Sequence, residues 1–221
     1  MFRGGRRHRG RRILLWVLLA ALIVCGSAFA TNRILTLVNG GGDTPWNLTL
    51  VNGRHALPRN WDGALTELRG GESVDSRIVP DLQAMFDDCR AAGLAPIVLS
   101  GYRTPEQQQK ELDAKTAAYQ AEGNSAGEAE KLAALTVAKP GHSEHQLGLA
   151  VDIDSEDLTV CSHQQVWDWL AAHCADYGFI LRYPEGKESV TGYAYEPWHF
   201  RYVGRDAARA ITDRAITLEE Y

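Results

Sequence analysis

Cysteine is scarce in this chain: four among 221 residues, Cys25, Cys89, Cys161 and Cys174. The last three lack the close pairing of a zinc knuckle. An odd set also leaves no complete disulfide framework, although one bridge is permitted in an oxidising compartment. Cys89 follows Leu82 and Phe86 at helical spacing, and Cys174 follows Val166 and Leu170. Both are expected as small apolar core residues. Basic residues are the second deficit. Six of the 23 (Arg3, Arg6, Arg7, Arg9, Arg11, Arg12) crowd into the first twelve positions, leaving 17 against 28 acids elsewhere, a net charge of −11. That balance argues against a nucleic-acid partner, because phosphate binding needs clustered lysine and arginine.

The basic start, an unbroken apolar run over 13–24 and a small-x-small ending at Ala30 are the parts of a secretory signal. Residues 13–30 number 18, near the lower limit for spanning a bilayer, so the segment can equally stay as an anchor with its arginines inside. A lipid-modified Cys25 is a third route, disfavoured by bulky Val24 before it. Every route places the remainder outside the cytoplasm, secreted or facing the cell wall. The expected organisation is a signal peptide or membrane anchor over 1–30, a glycine-containing flexible stalk over 31–45, and one folded, monomeric domain over 46–221.

Leu-Thr-Leu-Val-Asn-Gly occurs at 35–40 and again at 48–53, too few copies for a solenoid. The second copy reads as a strand ending in an Asn-Gly turn. A helix is expected over 80–92, with Pro80 at its start, Leu82, Met85, Phe86 and Cys89 on one face, and Gly93 as the stop. Thr104 with Gln107, and Ser125 with Glu128, have the spacing of capping boxes for helices over 104–117 and 125–138. The Ala- and Glu-rich segment 113–138 reads as a lid or wall. Further helices are expected over 164–175 and 205–221, and strands over 95–100, 150–153, 179–183 and 198–203. The irregular alternation indicates α+β, a compact single domain whose mostly antiparallel sheet is flanked by helices.

Two strings carry the chemistry, Ser143-Glu144-His145-Gln146-Leu147-Gly148-Leu149-Ala150-Val151-Asp152 and Glu196-Pro197-Trp198-His199. Two histidines and a carboxylate can hold Zn²⁺ and leave a fourth position open for water. His145 and Asp152 are seven residues apart around Gly148, which suits a loop handing over to a strand better than one helical turn. His199 would complete the set from the start of the last strand. Pro197 bars a helix through 196–199, so Glu196 is expected on a turn, where its carboxylate can act as the base. One histidine at a strand start is more often structural. Both strings together, in an exported chain, favour the metal.

The order Ser100-Gly101-Tyr102-Arg103-Thr104, then Pro140-Gly141-His142-Ser143-Glu144-His145 with Gly148 and Asp152, then Glu196-Pro197-Trp198-His199 resembles the VanY-type D-alanyl-D-alanine carboxypeptidases over about residues 46–204. The resemblance implies the α+β fold of lysostaphin-type and Hedgehog-type zinc domains, and removal of the terminal D-alanine from peptidoglycan stem peptides. It implies one Zn²⁺ on His145, Asp152 and His199, with Glu196 as catalytic base. Arg103 would then stabilise the oxyanion or hold the substrate carboxylate. Gln108, Ser143 and Tyr183 fall at substrate-binding positions, Trp198 would wall the pocket, and His142 would support the site without ligating. Tyr183 can equally be an ordinary strand aromatic, and Gln108 a solvated helix residue. An LD-carboxypeptidase acting on tetrapeptide stems shares these motifs. A D-Ala-D-Ala dipeptidase is chemically close but works in the cytoplasm, which the leader opposes. A non-catalytic wall-binding module would be expected to lack a ligand or the base, and here all four residues are present.

Overall fold

The structure, a computed structural model, describes residues 44–221. The expected leader over 1–30 and nearly all of the stalk lie outside the described residues. Among those described, no helix is long and apolar enough to cross a membrane.

Two antiparallel sheets organise the described residues. β1 (Leu65–Glu67) and β2 (Ser73–Asp75) form a small pair. The main sheet contains β3 (Pro96–Ser100), β4 (Ala150–Ser155), β5 (Phe179–Leu181) and β6 (His199–Tyr202), in the order β3-β4-β6-β5 with every pairing antiparallel. Strand periodicity divides β4 by face. Val151 and Ile153 are fully buried on one side, which leaves Asp152 to the other.

Helix α1 (Val79–Ala91) buries the expected Leu82, Met85, Phe86 and Cys89. α2 (Pro105–Ala121) begins at a complete capping box: Gln107 N donates to Thr104 Oγ1 at 3.2 Å, and Thr104 N to Gln107 Oε1 at 2.8 Å. It runs four residues beyond the expected end. α3 (Ala126–Ala133) is shorter than expected, and Ser125 makes no side-chain cap bond. The Ala133 carbonyl instead accepts from both Thr136 N and Val137 N, which winds 134–137 into a turn. α4 (His163–His173) starts from a second complete capping box, Ser162 with Gln165. The short α5 (Glu188–Thr191) precedes β6, and α6 (Arg205–Asp213) follows it. The expected helix over 205–221 stops early because Ala215 takes φ +49°. Behind β5, Ile180, Val203, Ala207, Ala208, Ile211 and Leu218 form an apolar cluster.

The expected strand over 48–53 is absent. Trp46–Leu48 is a 3₁₀ turn, and Asn52 pairs only with His55 as an isolated bridge. Among the described residues, no strand lies alongside for these β-prone side chains to join. Cys89, Cys161 and Cys174 are buried free thiols.

Gly101, just after β3, sits where a Cβ would come within 2.2 Å of the Ser73 carbonyl oxygen. The approach is close because Tyr102 N donates to that same oxygen at 2.6 Å. Gly101→Ala is expected to destabilise the fold by about 1–3 kcal/mol, the usual cost of overpacking. A thermal melt reads this directly, and an unchanged Tm would show that the loop gives way freely.

Candidate active site

The register of the main sheet lines up the site. Asp152 on β4 lies opposite Ser100 of β3 on one side and His199 of β6 on the other. His145 arrives from the 3₁₀ turn Glu144–Leu147, which ends at Gly148 with φ +71°. A side chain there would be strained, and its Cβ would lie 2.9 Å from the Asp75 nitrogen. Glycine therefore lets the turn pass directly into β4.

His145 Nδ1 lies 2.7 Å from the Gly101 carbonyl oxygen, which can only accept, so Nδ1 carries the proton. The lone pair of Nε2 is left facing Asp152 Oδ2 at 3.3 Å. His199 Nδ1 is 2.9 Å from Asp152 Oδ1, and the two imidazoles meet edge to face at 5.0 Å between centroids. One ligand atom from each of His145, Asp152 and His199 lies within 4.8 Å of the others. Burial keeps His145 below its usual pKa, opposed by Asp152, so this imidazole is neutral as ligation requires. Burial would also lower His199, but Asp152 and Glu144 outweigh it and lift the group to about 9. Burial would raise the Asp152 carboxyl, yet the two histidines hold it far below the carboxylate range. Two imidazoles and one ionised carboxylate, arranged to attract positive charge, fit Zn²⁺.

Glu196 stands on the expected turn. His199 N donates to the Glu196 carbonyl at 3.2 Å, and Glu196 N to the Tyr183 carbonyl at 3.2 Å. The Glu196 carboxylate lies 3.8 Å from His199 Nδ1. Burial, opposed by His199, raises it to about 7, a value suited to taking up and returning a proton near neutrality. Arg103 is braced on three sides: Nε donates to Ser100 Oγ at 2.8 Å, Nη1 to Gln108 Oε1 at 3.4 Å and Nη2 to Asp152 Oδ2 at 3.0 Å. Gln108 is 1% exposed, and its Nε2 donates to the Ala138 carbonyl at 2.7 Å. It thus ties Arg103 to the segment after α3 and is no solvated helix residue.

Arg103, Gln108, Ser143, His145, Asp152, Tyr183, Glu196, Trp198 and His199 all line one cleft of about 380 Å³. The Tyr183 ring packs 4.9 Å from that of His199, and Trp198 lies 5.8 Å from Trp167. The segment 113–138 forms a wall through Ala114, Lys115, Ala118, Thr136, Val137 and Ala138. His142 is placed differently from the expectation. It bonds to the Asn52 carbonyl at 2.8 Å and lines another depression with Gly53 and Leu112.

Sequence reasoning missed several residues. Glu111 and Lys115 line the cleft from α2, and their spacing from Gln108 places all three on one helical face, a usable signal. Tyr193 also lines it, and no sequence signal points there. Beside the metal trio, Glu144 is buried against Arg182 and Arg201. Burial would raise the Glu144 carboxyl, but the two guanidinium groups hold it well below its usual range. The available signal was an arginine inside each of two otherwise apolar strands, a charge that burial obliges to pair.

Comparison with known proteins places this arrangement. Residues 71–205 match the family model described as VanY, D-alanyl-D-alanine carboxypeptidase. A D-alanyl-D-alanine carboxypeptidase of Enterococcus faecalis is 45% identical over 190 residues, covering 86% of this chain and 70% of that protein. The vancomycin-resistance D,D-pentapeptidase VanY of a VanB-type cassette, solved in complex with Zn(II), superposes with a TM-score of 0.78 at 47% identity, covering 80% of this chain and 99% of that one. VanYB in complex with D-alanine-D-alanine matches with the same TM-score and identity, covering 80% and 97%.

Proposed function

Because the chain belongs to the VanY D-alanyl-D-alanine carboxypeptidase family, we propose that it trims D-alanine from peptidoglycan stem peptides on the outer side of the plasma membrane. The protein is a zinc metallopeptidase, a DD-carboxypeptidase that acts on the C-terminal D-alanine. The observation that carries the residue roles is the meeting of His145, Asp152, His199 and Glu196 in one cleft. The basic and apolar start of the sequence supports the extracytoplasmic placement.

His145, Asp152 and His199 would hold Zn²⁺, which when bound acts as a Lewis acid on the scissile carbonyl and acidifies a water. Proton traffic falls to Glu196. Its buried carboxylate takes the proton of the attacking water and returns it to the departing amine of D-alanine. Arg103, held rigid by Ser100, Gln108 and Asp152, presents its guanidinium to the substrate carboxylate or to the developing oxyanion. Ser143, Tyr183 and Trp198 line the same cleft.

Purified muropeptides test the reading. Incubation with the protein is expected to remove one alanine from pentapeptide stems, by mass spectrometry, with the loss abolished by a chelator and restored by zinc. Loss from tetrapeptides alone would make the enzyme an LD-carboxypeptidase. Loss from neither would make it a binding module.

A further inference from the structure

Glu144 directly precedes the ligand His145, is 2% exposed, and has no part in the proton traffic above. Its two oxygens meet different surroundings. Oε1 accepts from Arg182 Nε at 2.8 Å and lies 2.9 Å from Arg201 Nη1. Oε2 has no hydrogen-bond partner and faces His199 Nε2 at 3.8 Å, a nitrogen that is equally buried and unpartnered. A buried polar atom left without a partner is costly, so an acceptor and a donor this close have reason to pair. The other nitrogen of the same ring, Nδ1, is the one turned to Asp152.

We propose that Glu144 is the positioning residue for His199. It accepts the proton of Nε2 and thereby fixes the tautomer whose Nδ1 keeps its lone pair for the metal. A lone carboxylate in this position would gain a proton or swing away, because burial penalises its charge. Two arginines prevent that. Arg182 is itself gripped by Glu219, through Nη1 to Oε2 at 2.8 Å and Nη2 to Oε1 at 2.6 Å. Arg201 is fixed by backbone oxygens, through Nε to Tyr202 at 3.0 Å and Nη2 to Thr49 at 2.9 Å. Two carboxylates and two guanidinium groups make the cluster neutral, so it can be buried while Oε2 still directs negative charge at the imidazole. The Tyr183 ring, 4.9 Å from that of His199, restricts the imidazole from the side. A stretch after α6 therefore braces a metal ligand on β6 through two intermediate side chains.

This inference rests on the zinc site of the preceding reading, and the experiment separates the two. Glu144→Asp keeps the charge against both arginines but withdraws the carboxylate by about 1.5 Å, one carbon–carbon bond. Zinc affinity is measured by competition with a chromophoric chelator, on protein shown folded by circular dichroism. E144D is expected to bind zinc roughly 10–100-fold more weakly, the usual effect of removing support from a ligand. A merely structural role would lower the Tm and leave the zinc Kd of the folded protein unchanged, which would overturn the proposal. The wild-type protein supplies a readout that does not depend on the variant folding. In ¹⁵N-imidazole NMR of the zinc-loaded chain, His199 is expected to carry a slowly exchanging proton on Nε2, and a proton on Nδ1 instead would also overturn it. A wild-type chain that takes up no zinc would overturn the zinc site and this role together. That outcome is distinct from normal wild-type binding alongside an indifferent E144D.

Discussion

Replacing Glu196 by alanine is expected to lower kcat by about 10²–10⁴-fold, the usual worth of a positioned acid–base group, while zinc stays bound at one per chain. The two effects separate because Glu196 stands outside the trio whose ligand atoms converge. Those three residues are held by β4, β6 and the 3₁₀ turn, and removing the Glu196 side chain disturbs none of them. Folding should tolerate the change, because Glu196, at 5% exposure, holds its carboxyl against a desolvation penalty. Released D-alanine, measured by chromatography beside zinc analysis of the same sample, decides the matter. A variant with parental kcat would remove Glu196 from the mechanism, and one that loses zinc would make it part of the metal site.

Asp152→Asn addresses the metal itself. Zinc affinity should fall by more than the ~100-fold that a supporting residue costs, and hydrolysis with it. Asparagine keeps the shape but removes the one ionised ligand, and its amide turns a donor toward His145, His199 or Arg103. All three now lie within 3.3 Å of a carboxylate oxygen. Chelator competition on the folded variant is the measurement, and affinity within a few-fold of wild type would show that Asp152 does not ligate.

What could be read without coordinates, and what could not, follows from the range of each interaction. His145 to Asp152 and Glu196 to His199 are contiguous strings, so their residue types and the placement of glycine and proline already describe a turn into a strand. The Thr104–Gln107 box is equally local, and its helix appears where its spacing indicates. The Glu144–Arg182 pair joins residues 38 apart, and only the pairing of β5 and β6 brings Arg182 and Arg201 to one carboxylate. Tyr193 reaches the cleft from an irregular loop that carries no periodicity. Ser125 and Glu128 have capping-box spacing without the bond, and the helix they open ends at Ala133 and not at 138, because the Ala133 carbonyl turns the chain by accepting from Thr136 N and Val137 N. Residues 48–53 have the side chains of a strand, but strand formation requires a neighbour, and the described residues supply none.

The alignment of Asp152 with His199 across β4 and β6 has a bearing on how the sheet is assembled. A slip of one residue in that pairing would turn Val151 or Ile153 toward the cleft in place of the carboxylate. No such slipped sheet could hold a divalent cation. A cation that binds one register and none of its neighbours lowers the free energy of that register alone, by mass action. The ion that serves hydrolysis would then also select the strand alignment that makes hydrolysis possible.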